Sequence, residues 1–359
     1  MSDPVPEHFA SADLLASDFD FDLPEELIAQ TPIEPRDASR LLQLDRRTGA
    51  IDHRMIRDLP DLLRPGDLLV ANNSRVLPAR LHGVRGQTGG RVELLLLRNL
   101  GDQHWRALAR PARRLRPGEQ IEILAVDGTL SGVTIRVEAG EGDGQVIVRI
   151  PANVAENLER YGEMPLPPYI RERLERPDRY QTTYASVTGS AAAPTAGLHI
   201  TDELRSSLAR RGVGWAEVTL HVGVDTFRPI QVERVLEHPI HTEWCTVSDT
   251  TAQRIADTRA AGGRVIAVGT TAARVLETLG RQWDDRQPSG LTMDTDIFIV
   301  PGHRWALVDG LLTNFHLPKS TLMLLVSALG GRDHILAAYT AAINARYRFF
   351  SFGDAMLIV

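Results

Sequence analysis

The chain has one cysteine, Cys245, and one lysine, Lys319, in 359 residues. A single thiol excludes an internal disulfide framework and suits a reducing compartment. Arginine is the base almost everywhere. Genome composition explains that bias and no function is drawn from it, although arginine does suit bidentate phosphate contacts. No apolar run reaches the ~20 residues that span a bilayer, so no membrane association is expected; residues 322–329 read as a buried helix. The N-terminus lacks a basic region followed by an apolar core, so no secretory signal is expected and the location is expected to be cytoplasmic. There is no G-x-G-x-x-G after a strand and no G-x-x-x-x-G-K-[ST], which argues against the usual dinucleotide and nucleoside-triphosphate sites. Net positive charge is also lacking. At −6, the chain is not a general nucleic-acid coat, though a local basic patch remains compatible with that total.

What is present is ordinary globular material: 43% hydrophobic and 24% charged residues, enough for a full core. The length predicts about two domains. Residues 1–18 are polar, acidic and patternless, and a disordered tail is expected there. Between 75 and 150 the helical period disappears and short strands recur between Gly-rich turns, which predicts an inserted all-β, barrel-like domain. The flanking stretches, 19–74 and 151–359, alternate strands with helices. They predict one discontinuous α/β domain with a mixed, partly parallel sheet. Helices are expected over 23–30, 56–63 and 154–161, and strands over 295–300 and 306–313.

Four segments of similar texture follow apolar runs. They are GSAAAPTAGLHIT (189–201), HVGVDTFRPI (221–230), VGTT (268–271) and LTNFHLPKS (312–320). Each sets a polar group among small residues, as a pocket built at several strand ends would require. Gly197 is able to take a positive φ, and Thr201 reads as a helix N-cap. His199, His221 and His316 each sit in such a loop. A lone histidine is more often a satisfied structural group, but three alike suggest a general base or a ribose-contacting donor among them. At VGTT, backbone N–H groups with the Thr270 and Thr271 hydroxyls would hold an anion, or Thr would simply cap the helix. HPIHTEWC (238–245) holds metal-ligand types, yet no second ligand cluster accompanies it and no metal is expected. Asn72 and Asn73 either read a base edge or cap a turn. Arg75 and the basic run Arg110, Arg113, Arg114 and Arg116 are either a solvated face or phosphate contacts. Tyr347, Phe349, Phe350 and Phe352 either stack a base or fill the core.

The four segments, in this order, resemble the S-adenosylmethionine:tRNA ribosyltransferase-isomerase family of queuosine biosynthesis. So do FDFDLPEELIAQTP (19–32), GDLLVANNSRVLPARLHG (66–83), GEMPLPPYI (162–170), DIFIVPG (296–302) and YRFFSFGDAMLI (347–358). The resemblance implies transfer and isomerisation of the ribosyl part of S-adenosylmethionine, the ribosyl-donor substrate. The acceptor is 7-aminomethyl-7-deazaguanine at the tRNA wobble position, giving epoxyqueuosine with release of adenine and methionine. It implies catalytic roles among His199, His221, Glu243 and His316. Donor contacts are expected from Thr195, Gly197, Gly223, Thr226, Gly269, Thr270, Thr271 and Asn314. Asn72, Asn73, Arg75, Arg110, Arg113 and Arg114 are expected to meet RNA, and a monomer is expected. The chain departs from the family pattern at Asp225, which stands where the pattern has its second Gly in His-Val-Gly-x-Gly-Thr-Phe. A metal-dependent hydrolase using His238, His241 and Glu243, and a noncatalytic RNA-binding protein, are the rival readings.

Overall fold

The computed structural model describes residues 14–172, 174–223 and 230–359. Asp225 and Thr226 lie outside the described residues. Two compact units emerge. The first comprises 1–73, 168–186 and 194–359, and the second 74–167 and 187–193. The second unit thus extends beyond the 75–150 expected from the loss of helical period, because 151–167 and a separated heptapeptide belong with it.

The first unit is built on a sheet of nine described strands. Their order is Leu291–Thr295, Glu243–Val247, Gly214–Leu220, Leu68–Asn72, Val265–Val268, Gly310–Asn314, Ala355–Ile358, Arg40–Leu44 and Ile51–Met55. The four from Gly214–Leu220 to Gly310–Asn314 run parallel. Ala355–Ile358 is antiparallel to Gly310–Asn314 and parallel to Arg40–Leu44. The central strands LLVAN, VIAV and GLLTN are buried at every position. That is the pattern of strands covered on both faces, and it is why they read as unbroken apolar runs. Helices Asp202–Arg210, Asp249–Ala260 and Thr270–Gly280 connect them. Thr201 caps the first, accepting from the Leu204 N–H at 3.0 Å.

The second unit closes on itself. Six antiparallel strands run Arg80–Arg85, Arg91–Gly101, His104–Arg110, Gln145–Arg149, Leu130–Gly142 and Gln120–Leu124. The last pairs back onto the first. Burial alternates along them, as in HWRALAR and QVIVR, so one face of each strand fills the barrel interior.

Several local expectations are corrected. Residues 14–18 do not trail: Leu14 is buried, the Ala16 N–H donates to the Glu233 carbonyl at 2.9 Å, and Leu15 bridges Arg234. The helices expected at 23–30 and 56–63 shrink to the 3-10 turn Glu25–Leu27 and to a 3-10 turn followed by Leu59–Leu62. Over 154–161 the helix gives way to Ala152–Ala155 and the 3-10 turn Leu158–Arg160. Proline opens or sits within Glu25–Leu27, Leu59–Leu62 and Ala152–Ala155, fixing φ and withdrawing a donor. The strand expected at 295–300 ends at Thr295, and that expected at 306–313 is Gly310–Asn314.

Candidate active site at the carboxyl edge of the parallel strands

The carboxyl ends of the parallel strands deliver Asn72, His221, Gly269–Thr271 and Asn314–His316 to one edge of the sheet. In open α/β sheets this is the edge where ligands bind. The turn Thr195–His199 comes to the same edge. The Asn314 Nδ2 lies 3.2 Å from His199 Nε2, and a Cβ built on Gly269 would stand 3.6 Å from the Ala196 Cβ. Gly269 has φ +91, a conformation glycine takes without strain. It caps Thr270–Gly280 with no side-chain cap, so the alternative of a threonine cap falls away. The Thr271 hydroxyl is buried and has no partner among the described residues.

Gly197 is glycine for a different reason from the one expected. Its φ is not positive. Instead, a Cβ there would lie 1.9 Å from the Tyr184 hydroxyl and 2.9 Å from Thr182 Cγ2. Gly197→Ala is therefore expected to push Tyr184 outward and to lower stability by about 1–3 kcal/mol, the usual cost of overpacking. Thermal unfolding of the two proteins measures it, and an unchanged midpoint would show that Tyr184 yields freely.

The three loop histidines separate once their ring nitrogens are followed. Asn314 Nδ2 also faces the carbonyls of Phe350 (3.2 Å) and Asp354 (3.5 Å). Its amide is thereby oriented, and His199 Nε2 must accept, which places the ring proton on Nδ1. Burial pulls His199 down to about 4, so it is neutral and positioned. His316 is buried, pulled down to about 3 by burial, and shares a 2.8 Å bond between Nε2 and the Thr313 hydroxyl. His221 differs. Its ring stacks on Trp244 at 4.9 Å and 20°, burial lowers its pKa, and its buried Nδ1 has no partner among the described residues.

Glu243 is buried and fully occupied. Oε1 accepts the Gly223 N–H at 2.8 Å, and Oε2 pairs with Arg274. Helix Thr270–Gly280 thus starts at Gly269 beside the His199 turn and carries Arg274 to the carboxylate that holds the residue two beyond His221. Nothing in the sequence marked Arg274 as that partner. Thr195 is half-buried in its turn.

The RNA-facing expectations fare unevenly. Asn72 is fully buried, donating to the Leu220 carbonyl (3.0 Å) and accepting its N–H (3.1 Å). It ties two strands together and is closed to RNA. Asn73 donates to Glu217 (3.3 Å) and accepts from the Thr219 hydroxyl (2.7 Å). Arg75, Arg110, Arg113 and Arg114 are exposed in the second unit. Tyr347, Phe349, Phe350 and Phe352 are core residues, each 3% exposed or less, and cannot stack a base. Among the described residues no group of His, Cys, Asp and Glu stands ready to hold a metal, and no helix is long and apolar enough to cross a membrane. Burial pushes the Cys245 thiol up to about 11.

A family model described as queuosine biosynthesis protein matches residues 16–358. The chain belongs to the queuosine biosynthesis family. The S-adenosylmethionine:tRNA ribosyltransferase-isomerase of Symbiobacterium thermophilum is 56% identical over 346 residues, 96% of this chain and 99% of that protein. The crystal structure of the S-adenosylmethionine tRNA ribosyltransferase from Thermotoga maritima is 38% identical, with a TM-score of 0.55 over 95% of this chain and 100% of that one. Within this queuosine family member, the strand-end edge brings together His199, His221, Gly269–Thr271, Asn314 and His316.

Proposed function

We propose that the chain transfers and isomerises the ribosyl moiety of S-adenosylmethionine onto 7-aminomethyl-7-deazaguanine at the tRNA wobble position, as a cytoplasmic monomer. The product is epoxyqueuosine, and adenine and methionine leave. The observation that carries this reading is the end-to-end identity with the Symbiobacterium ribosyltransferase-isomerase.

The positive sulfur acidifies the carbon beside it, so a neutral imidazole suffices as base if held within reach. His221 is the group that fits. Its Nδ1 is uncommitted among the described residues, whereas His199 Nε2 faces the Asn314 amide, His316 Nε2 is bonded to the Thr313 hydroxyl and both Glu243 oxygens are engaged. The proton taken by His221 is then at hand for the departing adenine. Glu243 and Arg274 fix Gly223, and His199 with Asn314 fixes the turn Thr195–His199. Gly223, Gly269, Thr270 and Thr271 supply the close backbone approach and hydroxyls for the donor. The exposed arginines of the second unit, Arg75, Arg110, Arg113 and Arg114, meet tRNA phosphates.

The test is adenine release from S-adenosylmethionine, measured with tRNA bearing the aminomethyl-deazaguanine base and with unmodified tRNA. Release only with the modified tRNA, accompanied by mass gained on it, is the expected result. Binding of tRNA without release would replace this reading by a noncatalytic one.

A further inference from the structure

Two half-buried arginines near His199 form no direct ion pair among the described residues. Arg36 opens a 3-10 turn after Pro35. Its Nη1 donates to the Leu198 carbonyl and its Nη2 to the Asp178 carbonyl, both at 3.1 Å. Arg348 follows the helix Arg332–Asn344, and its Nη2 donates to the Thr31 carbonyl. The two are joined through one small frame. Arg348 grips the Thr31–Arg36 loop from one end, and Arg36 grips the residue before His199 from the other. The Arg348 backbone N–H reaches Asp354 Oδ2 at 2.8 Å, and the Asp354 carbonyl lies near the same Asn314 amide that holds His199.

Their neighbours are provided for. Arg40 pairs with Asp354 at 3.0 Å and Arg179 with Glu34 at 2.6 Å. Arg36 and Arg348 have only carbonyl oxygens as guanidinium partners among the described residues. A guanidinium presents five N–H donors; Arg36 uses two and Arg348 one. Burial, and then the charge of Arg179, pulls Arg36 down to about 10 against the opposing pull of Asp178 and Glu34. Burial likewise lowers Arg348, against the opposing charge of Asp354. Each of these carboxylates is already held by another arginine, Asp178 by Arg176, Glu34 by Arg179 and Asp354 by Arg40; cations thus outnumber carboxylates around partly desolvated guanidiniums, and an arriving anion relieves that cost.

We propose that Arg36 and Arg348 form a carboxylate-binding subsite beside His199, and that its ligand is the α-carboxylate of the methionyl part of the ribosyl donor. The inference rests on the ribosyl-transfer reading above. The planar forks match a flat two-oxygen anion. Their half-buried setting suits a small ligand that is itself withdrawn from water. A tRNA phosphate, by contrast, stays on an exposed backbone and is met by exposed cations such as Arg110, Arg113 and Arg114. His199, neutral and fixed in tautomer, adds no charge of its own.

The experiment compares S-adenosylmethionine with its decarboxylated analogue as ribosyl donor, at saturating modified tRNA. The wild-type enzyme is expected to favour the carboxylated donor by about 10–100-fold in kcat/KM, the range for one charge-assisted, partly desolvated anchor. In Arg36→Gln and in Arg348→Gln that preference is expected to collapse to within about 3-fold. The Lys variants, which keep charge but lose the fork, carry the test if a Gln variant does not fold, and should show an intermediate preference. Equal use of the two donors by the wild type overturns the subsite. So does a preference that survives in the variants, or variants that change only tRNA affinity and its salt dependence. Absence of turnover with either donor in the wild type would instead overturn the ribosyl-transfer reading itself.

Discussion

Replacing His221 by Gln is expected to slow adenine release by about 10²–10⁴-fold, the usual share of a positioned general base, while tRNA binding and unfolding stay as they were. The ring is held by stacking on Trp244 and by a strand-end backbone whose N–H donates to the Trp244 carbonyl at 3.0 Å, so Gln leaves the framework intact. The pH dependence carries the sharper signature. Burial lowers the His221 pKa from its ordinary 6.5, so the ring is a free base at neutral pH and is lost as a base only when pH falls through that lowered value. The wild-type rate should therefore decline on the acid side, below pH 6.5, and the residual rate of the Gln protein should lack that limb. A Gln protein that keeps both the rate and the acid limb would move the proton transfer to another group.

Glu277→Ala is expected to lower the unfolding free energy by about 3–5 kcal/mol, the range for removing one member of a buried, charge-assisted network. Glu277 sits in helix Thr270–Gly280 and is 2% exposed. It accepts the N–H groups of Ala306 (2.8 Å), Leu307 and Val308 (3.0 Å each), and pairs with His303 Nε2 at 3.0 Å. Removing it strands three backbone donors. Glu277→Gln keeps the shape, loses the charge and should cost less. Burial alone would raise the carboxyl's pKa, but the bonds from His303 and the three N–H groups outweigh it and hold the group below 4.5. Its stabilisation is thus complete above pH 4.5 and is lost as pH falls through the lowered folded value. Denaturant unfolding at neutral and acid pH measures this. A wild-type-to-Ala difference that did not shrink in acid would show that packing, not charge, is what Glu277 supplies.

The strand ends that carry the candidate site were legible because a strand buried on both faces is a short apolar run. Where such a run breaks into small and polar residues, as Val265–Val268 does into Gly269–Thr271, a strand end is marked. The division of labour was not readable. His199, His221 and His316 look alike as letters; only Asn314, Thr313 and the absence of a described partner tell them apart. Asn72 was misjudged for a similar reason. An asparagine after a buried strand reads the same whether its amide faces RNA or, as here, the backbone of Leu220, 148 positions on. The aromatic run near the C-terminus is set by tertiary packing and by a φ of +69 at Phe350, which no periodicity announces. The short 3-10 turns escaped because propensity favoured helix where proline and tertiary contacts allowed one turn only.

The Arg40–Asp354 contact spans 314 positions, and Arg40–Leu44 takes its parallel partner from Ala355–Ile358. At about 5–20 residues per second of synthesis, that strand waits roughly 15–60 s for its neighbour. Every strand of the six-membered barrel has emerged by Arg149. The chain therefore passes through a long interval in which the six barrel strands are complete while Arg40–Leu44 still lacks its parallel partner. Until then Arg40–Leu44 has only Ile51–Met55 beside it and one apolar edge open, so the last residues of the chain close the sheet that the first ones began.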